Sequence, residues 1–343
     1  MVKLGSCKTK KSIVILTGKN KDEKFTGDSR FYEHLAAKVQ TYGGELFILP
    51  RSGEHTTSNA FVWNENIHSW LLVPCPKPDI VYNRYPDRRM EWENSVQSYF
   101  HWLDEDGIPY FNRCFFNKLL ISKLLEKDKH LNRFLPATEI FTTKALFQCF
   151  LKKYPVVFLK DVNGSQGSGI WKIERIDNKY KLQTQEKEYF YIPIDTLADL
   201  FQPIAAQKTL LMQQGISPAS INNNPYDFRV LMHCYKNQWQ LTGIGVRQAK
   251  KGGYTTHVPH GGTILSYDEV PVKPGKEKIL YIGEKIGIAL VKKYVNIREF
   301  SFDLAIDKTK KLWILDVNSK PMIFDESSIH ENRIDILTNI FFE

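Results

Sequence analysis

The chain has 343 residues, 42% hydrophobic and 13% aromatic, with 47 Lys and Arg against 38 Asp and Glu for a formal net charge of +9. That length predicts two or three domains, and that apolar content excludes disorder, collagen and coiled coil as descriptions of the whole. No apolar run approaches the roughly 20 residues of a membrane span, and Ile13–Leu16 is too short for a signal peptide core, so a cytoplasmic protein is expected.

Ser12–Thr17 reads as a short buried strand, Arg30–Tyr42 as an amphipathic helix closed by Gly43-Gly44, and Glu45–Leu49 as a second strand. Asp79–Asn83 is a third, behind Pro74, Pro76 and Pro78. Glu91–Asp106 carries helical spacing through Trp92, Val96, Tyr99, Phe100 and Leu103. This alternation predicts a small parallel α/β domain over residues 1–112. A helix at Phe115–Lys127 and a connection at Leu135-Pro136-Ala137-Thr138 open a second unit, 113–205. There the strand Val156–Lys160 precedes a glycine loop and the strand Ile170–Glu174. The third unit, 206–343, holds strands Thr209–Gln213, Phe228–Tyr235 and Gln240–Arg247, then a glycine-rich loop over Gly252–Gly262 and a helix near Gly275–Lys293. It ends with a hairpin of Glu299–Ile306 and Leu312–Asn318 and a helix from about Asp325.

Two stretches carry chemistry. Glycines at 164, 167 and 169 leave backbone N–H groups free to approach an anion, and Lys160 adds a cation at the end of an apolar strand. The pattern is neither a G-x-x-x-x-G-K-[ST] loop nor a dinucleotide fingerprint, because Ile170-Trp171 follow and a strand is expected there. A plain hairpin turn and a phosphate-covering loop both fit it. In the terminal hairpin, period two sets Asp303 with Ser301 and Asp316 with Asn318, and a turn at Lys308–Lys311 would pair Asp303 with Asp316. Opposed like charges are unfavourable unless a cation such as Mg²⁺ lies between them; the alternative is an exposed polar sheet face.

The basic excess suits anionic partners, yet acidic residues interrupt nearly every basic cluster and no basic-aromatic motif supports nucleic acid. The five cysteines (Cys7, Cys75, Cys114, Cys149, Cys234) include no C-x-x-C pair, so each reads as a small apolar residue. Arg84, Arg88 and Arg89, just after the third strand, could grip a substrate carboxylate or phosphate or form buried salt bridges.

Taken in order, a set of motifs resembles the ATP-grasp superfamily over nearly the whole chain. They are Asn117-Lys118, Leu135-Pro136-x-Thr138, Lys160 before its glycine loop, Met212-Gln213-Gln214-Gly215, Asp227-x-Arg229, Gly245-Val246-Arg247, the loop His257-x-x-His260-Gly-Gly, Asp303, and Asp316-Val317-Asn318. Tyr82-Asn83-Arg84-x-Pro86-x-Arg88 and Asp316-Val317-Asn318-Ser319-Lys320-Pro321 look like its YheC/YheD-type group, described as endospore-coat-associated.

The resemblance implies an ATP-grasp fold: two α+β subdomains (113–205 and 206–343) clasping ATP after a small α/β domain (1–112). It places Lys118, with Lys123 as the alternative, and Lys160 at adenine and phosphates. Gly164, Ser165, Gln166, Gly167, Ser168 and Gly169 would cover the triphosphate, and Gln213, Gln214, Gly215 and Ile216 would form the adenine-binding hinge. Arg229 and Arg247 would neutralise the transferring phosphoryl group, with His257 and His260 as further catalytic candidates or loop contacts. Asp303, Asp316 and Asn318 would hold Mg²⁺, or Mn²⁺ in its place, and Arg84, Arg88 and Lys320 the substrate. The implied activity is an ATP-dependent ligase joining a carboxylate, of a peptide or smaller molecule, to an amine through an acylphosphate. A phosphotransferase acting on a hydroxyl, or a nucleotide-binding coat-assembly protein without turnover, are the alternatives.

Overall fold

The computed structural model describes residues 10–22, 24–51, 59–162, 169–184, 187–253, 256 and 261–343. The first unit comprises β1 (Lys11–Thr17), α1 (Ser29–Thr41), β2 (Gly44–Pro50), β3 (Asn59–Asn64), β4 (Ser69–Pro74), β5 (Ile80–Asn83), α2 (Asn94–Glu105) and β6 (Tyr110–Phe111). Its sheet runs β4-β3-β2-β1-β5-β6. The strands β2, β1, β5 and β6 are parallel, as the βα alternation predicts, but β3 and β4 add an antiparallel hairpin at the edge. β1 is a continuous apolar run because both faces are covered: Ile13 and Ile15 pack under α1, Val14 and Leu16 toward α2. The Asp28 side chain caps α1 by accepting from Phe31 N at 3.0 Å.

The second sheet follows α3 (Lys118–Glu126), with β7 (Thr138–Ile140), α4 (Lys144–Lys153), β8 (Val156–Asp161), β9 (Ile170–Ile176), β10 (Lys179–Gln183), β11 (Glu188–Ile192), α5 (Ile194–Gln207) and β12 (Leu210–Gln214). Its order is β11-β10-β9-β8-β12-β7, antiparallel throughout, with α4 and α5 in its core. The expected limit at 205 falls inside α5, and β12 lies between β8 and β7, so this sheet continues to Gln214.

The third sheet comprises β13 (Ser220–Ile221), β14 (Asn224–Tyr235), β15 (Gln238–Gln248), β16 (Thr263–Leu265), then after α6 (Lys276–Val291) the hairpin β17 (Glu299–Ile306) and β18 (Leu312–Asn318). Its main path is β16-β15-β14-β17-β18. Its core takes apolar residues of α6 together with Phe116, Ile121, Leu125, Leu131 and Phe134, so α3 belongs to this core rather than to that of the second sheet. The last helix, α7 (Ser327–Phe341), crosses back to the first unit. Its Ile334, Leu337, Ile340 and Phe341 share a core with Ile13, Ile15 and α1.

Candidate active site

One cleft is lined by Lys118, Leu135, Pro136, Thr138, Lys160, Leu211 and Gln213 on one side and by Ile314 and Asp316 of β18 on the other. Lys160 is carried by the alternating strand β8, and its Nζ donates to Gln213 Oε1 of β12 at 2.6 Å. Gln213 in turn donates from Nε2 to Thr138 Oγ1 at 3.3 Å. Gln214 N donates to Ala137 O and Gly215 N to Val156 O, both at 2.8 Å, which fixes the segment leaving β12. A Cβ at Gly215 would lie 2.4 Å from Val156 Cγ1, so only glycine fits there. Ile216 follows, half-buried.

Lys118 opens α3 just after its cap, Asn117, whose side chain accepts from Leu119 N and Leu120 N. Its Nζ stands 3.9 Å from Asp316 Oδ2. Lys123 instead lines a separate hollow with Leu119, Glu126 and Leu146, so Lys118 is the lysine that shares the cleft with Lys160. Removal from water holds the Lys160 ammonium down to about 8, opposed by Asp316 and Asp303 and helped by Lys118.

The terminal hairpin sets Asp303 opposite Asp316 and Ser301 opposite Asn318. Its route differs from the simple expectation. Next to the turn Ile306 pairs with Leu312, one step off, and a bulge at Leu315 restores the register before Asp316. Arg229, paired with Asp303 across β14 and β17, forks onto its carboxylate: Nε to Oδ1 at 3.0 Å and Nη2 to Oδ2 at 3.3 Å. Two residues away on the same face, Asp227 accepts from Thr256 Oγ1 at 2.6 Å. Burial, then repulsion from Asp303, pushes the Asp227 carboxyl up to about 7.

Arg247, opposite Asp227 on β15, is buried and makes a bidentate pair with Glu326. Nothing in the sequence around Glu326 marks it as that partner. Gly169 closes the described end of the glycine loop with φ +71° and accepts from Asp161 N at 2.8 Å. Gly164, Ser165, Gln166, Gly167, Ser168, His257 and His260 lie outside the described residues.

The three expected substrate residues are anchored elsewhere. Lys320 is enclosed, ion-paired to the fully buried Glu91 and donating to Tyr85 O at 3.2 Å. Burial lowers its pKa to about 8, against the pull of Glu91. Arg88 donates to Phe116 O at 2.8 Å, and Arg84 to Pro321 O at 2.7 Å. Arg84 also faces the buried Glu299, its Nη1 3.5 Å from Oε2. Around that carboxylate stand Arg333 Nη2 at 2.6 Å, Tyr82 OH at 2.8 Å and His233 Nε2 at 3.1 Å. This cluster joins β5, β14, β17 and α7. It left no motif in the sequence because its members are 217 and 251 residues from Tyr82.

Among the described residues no three His, Cys, Asp or Glu side chains form a closed metal cage. Two register-opposed carboxylates and the Asn318 amide are a partial oxygen set, which suits a hard cation that completes its shell with phosphate oxygens and water.

A model of the family described as YheC/D like ATP-grasp matches residues 107–341. The chain is 31% identical over 339 residues to the endospore coat-associated protein YheD of Bacillus subtilis strain 168, spanning 92% of this chain and 73% of that one. It is 22% identical to YheC of the same organism, over 76% of each chain. Among solved structures it superposes on D-alanyl-alanine synthetase A from Vibrio cholerae with a TM-score of 0.59 at 15% identity, covering 98% of this chain and 99% of the other. The chain belongs to the YheC/D-like ATP-grasp family, and its fold is the ATP-grasp fold. Among the described residues no helix is long and apolar enough to cross a membrane.

The depressed Lys160 ammonium makes a prediction. Above about 8 the free protein holds Lys160 largely neutral, whereas a bound phosphate favours the charged form. Nucleotide binding should therefore take up about half a proton at pH 8, approach one about a unit above it, and take up almost none well below it. Calorimetry in buffers of different ionisation enthalpy checks this, and Lys160→Arg should abolish the uptake.

Proposed function

We propose that the protein is an ATP- and Mg²⁺-dependent ligase that activates a carboxylate as an acylphosphate and passes it to an amine. One observation carries this reading: Lys118, Lys160, Asp316 and the Arg229–Asp303 fork converge on the seam between the second and third sheets. In this proposal Lys160 and Lys118 grip the phosphates, and Gln213, Gln214, Gly215 and Ile216 form the wall against the base. Thr138 and Leu135 continue that wall, and the glycine loop ending at Gly169 covers the triphosphate. Asp303, Asp316 and Asn318 would hold Mg²⁺, which supplies neutralisation of phosphate charge when bound.

The chain itself contributes positioning and fixed charge. A substrate carboxylate oxygen attacks the γ-phosphorus and ADP departs; the amine then displaces phosphate from the acyl carbon. Arg229, locked by Asp303, presents a guanidinium that needs no reorganisation as charge moves. Arg247 is held by Glu326 for the same task, and His257 and His260 remain candidates at the acceptor. No covalent intermediate on the protein is required. The likeness to proteins named as endospore coat-associated supports a reading in which this activity serves the coat.

The test is ADP release by the purified protein with Mg²⁺, screened over amino acids and short peptides, with mass spectrometry of the products. A new amide with loss of water supports the ligase. A stable phosphorylated hydroxyl would replace it with a phosphotransferase, and ATP binding without ADP release would leave a binding protein.

A further inference from the structure

Polar contacts between α1 and α7 run as rungs along the helix pair. Lys38 is ion-paired to Asp335 at 2.7 Å, and Tyr42 OH lies 3.5 Å from Asn339 Oδ1. At the end nearest the start of α7, His34 Nδ1 lies 3.1 Å from His330 Nε2. His34 is exposed; His330 is half-buried, its ring edge-on to Phe31. The first turn of α7 also reaches the candidate active site. Glu326, its N-terminal cap residue, holds Arg247 through both carboxylate oxygens, and its carbonyl accepts from His330 N at 3.0 Å. A Cβ at Gly243 would lie 2.4 Å from Ile329 Cγ2, so this turn rests directly on β15, the strand that carries Arg247.

A hydrogen bond between two imidazoles needs one N–H and one lone pair, so the pair keeps its bond only while it holds at most one extra proton. With both rings protonated, two N–H groups face each other across 3.1 Å and the contact becomes repulsive. The surroundings do not offset that charge. The groups facing His330 are His34, Asp28 and Arg30 on the side of α1, and Arg333 one turn further along α7. Asp28, the one carboxylate among these, is engaged as the cap of α1. Arg30 and Lys38 stand one turn either side of His34, and Glu33 beside it accepts from Ser29 Oγ at 2.7 Å. Burial first, then His34, lowers the His330 pKa from its ordinary 6.5. A depressed folded value for a histidine means that the released form binds more protons once pH falls below about 6.5. Acid therefore favours release, and neutral pH favours the closed contact.

We propose that the His34–His330 pair is an acid-released latch, whose double protonation frees the first turn of α7 and loosens Glu326 from Arg247. The latch follows from the helix contact alone; its effect on turnover rests on the ligase reading.

The test compares wild type with His34→Gln on the full chain at about pH 7.5 and about pH 5.5, with His330→Gln as a second variant. Glutamine accepts a hydrogen bond from either form of the facing ring and takes up no proton. Hydrogen exchange of the His330–Arg333 amides, corrected for the intrinsic pH dependence of exchange, should speed up in acid in wild type and in neither variant. The Leu337–Phe341 amides should stay protected throughout. NMR titration should place His330 higher in His34→Gln than in wild type. ADP release should be equal in wild type and His34→Gln at the neutral pH and should fall further in wild type at the acid one. Equal acid acceleration of exchange in all three proteins, or a His330 titration that does not move in His34→Gln, overturns the latch. Opening without the extra loss of ADP release overturns the link to Arg247. Absence of ADP release under every condition would overturn the ligase reading instead, while exchange and titration still decide the latch.

Discussion

Asp316→Ala should lower Mg²⁺-dependent turnover roughly 10²–10³-fold, or about 3–4 kcal/mol of transition-state stabilisation. Its metal-free thermal midpoint should stay close to that of the wild type. Asp316 faces Asp303 directly across the hairpin, and its side chain is 31% exposed with Lys118 3.9 Å away. In the empty protein Arg229 compensates Asp303 and only the more distant Lys118 faces Asp316, so removing Asp316 costs the empty protein little and harms mainly the loaded one. Asp303→Ala should behave differently, because it strands the Arg229 guanidinium that now forks onto it. With both side chains under a fifth exposed, that variant should lose about 2–3 kcal/mol of stability as well as turnover. Adding Arg229→Met should restore most of the stability and none of the turnover. The measurements are ADP release against Mg²⁺ concentration and thermal melts in chelator. A large fall in the chelated midpoint of Asp316→Ala, with the Mg²⁺ dependence of nucleotide binding intact, would make Asp316 structural.

Glu299→Ala should cost about 3–5 kcal/mol of stability, the range for leaving buried charges without their partner. The carboxylate is fully buried between Arg333, His233, Tyr82 and Arg84. Its removal leaves two guanidinium groups facing each other in the interior. Burial alone would raise its pKa, but Arg333, His233 and Arg84 together hold it far below the usual carboxylate range. A depressed folded value means the contribution is complete above the ordinary 4.5 and declines as pH falls below it, since the unfolded chain takes up the proton first. Denaturant titrations of wild type and Glu299→Gln should therefore differ most at neutral pH and converge in acid. A difference that grows on acidification would contradict the ion-pair account.

The strands and helices that read clearly in the sequence are those whose residue types follow one simple period. β17 alternates polar and apolar residues over Glu299–Leu304, although nearly all of it is buried, and both β17 and β18 form at the residues where they were expected. Their pairing is instructive: a turn one step tighter than expected is offset by the extra residue at Leu315, so Asp303 meets Asp316 after all. β11 was not legible because its three aromatics, Tyr189, Phe190 and Tyr191, are all exposed and show no period. Nor could the sequence show β12 inserting between β8 and β7, a long-range pairing with no local signal. At the site, Lys160 and Asp303 stood out from the residue pattern itself, whereas Arg229 came only with the family resemblance. The partners that orient them or close the interface, Gln213 on Lys160, Glu326 on Arg247 and Glu91 on Lys320, depend on tertiary contacts. Arg84 fits the salt-bridge alternative, while Lys320, expected at the substrate, is ion-paired to Glu91.

The return of α7 to the first unit has a consequence for synthesis on the ribosome. Ile13, Ile15 and α1 are made first, yet their core is completed by Ile334, Leu337, Ile340 and Phe341. At about 5–20 residues per second the nascent first unit must wait on the order of tens of seconds for that helix. Through this interval an apolar sheet face stands open, so residues 11–50 should become protease-resistant only after α7 has been made. A chaperone that shields emerging chains has its natural client here in residues 11–50, and a ribosome stalled before residue 327 should yield a chain that aggregates through them.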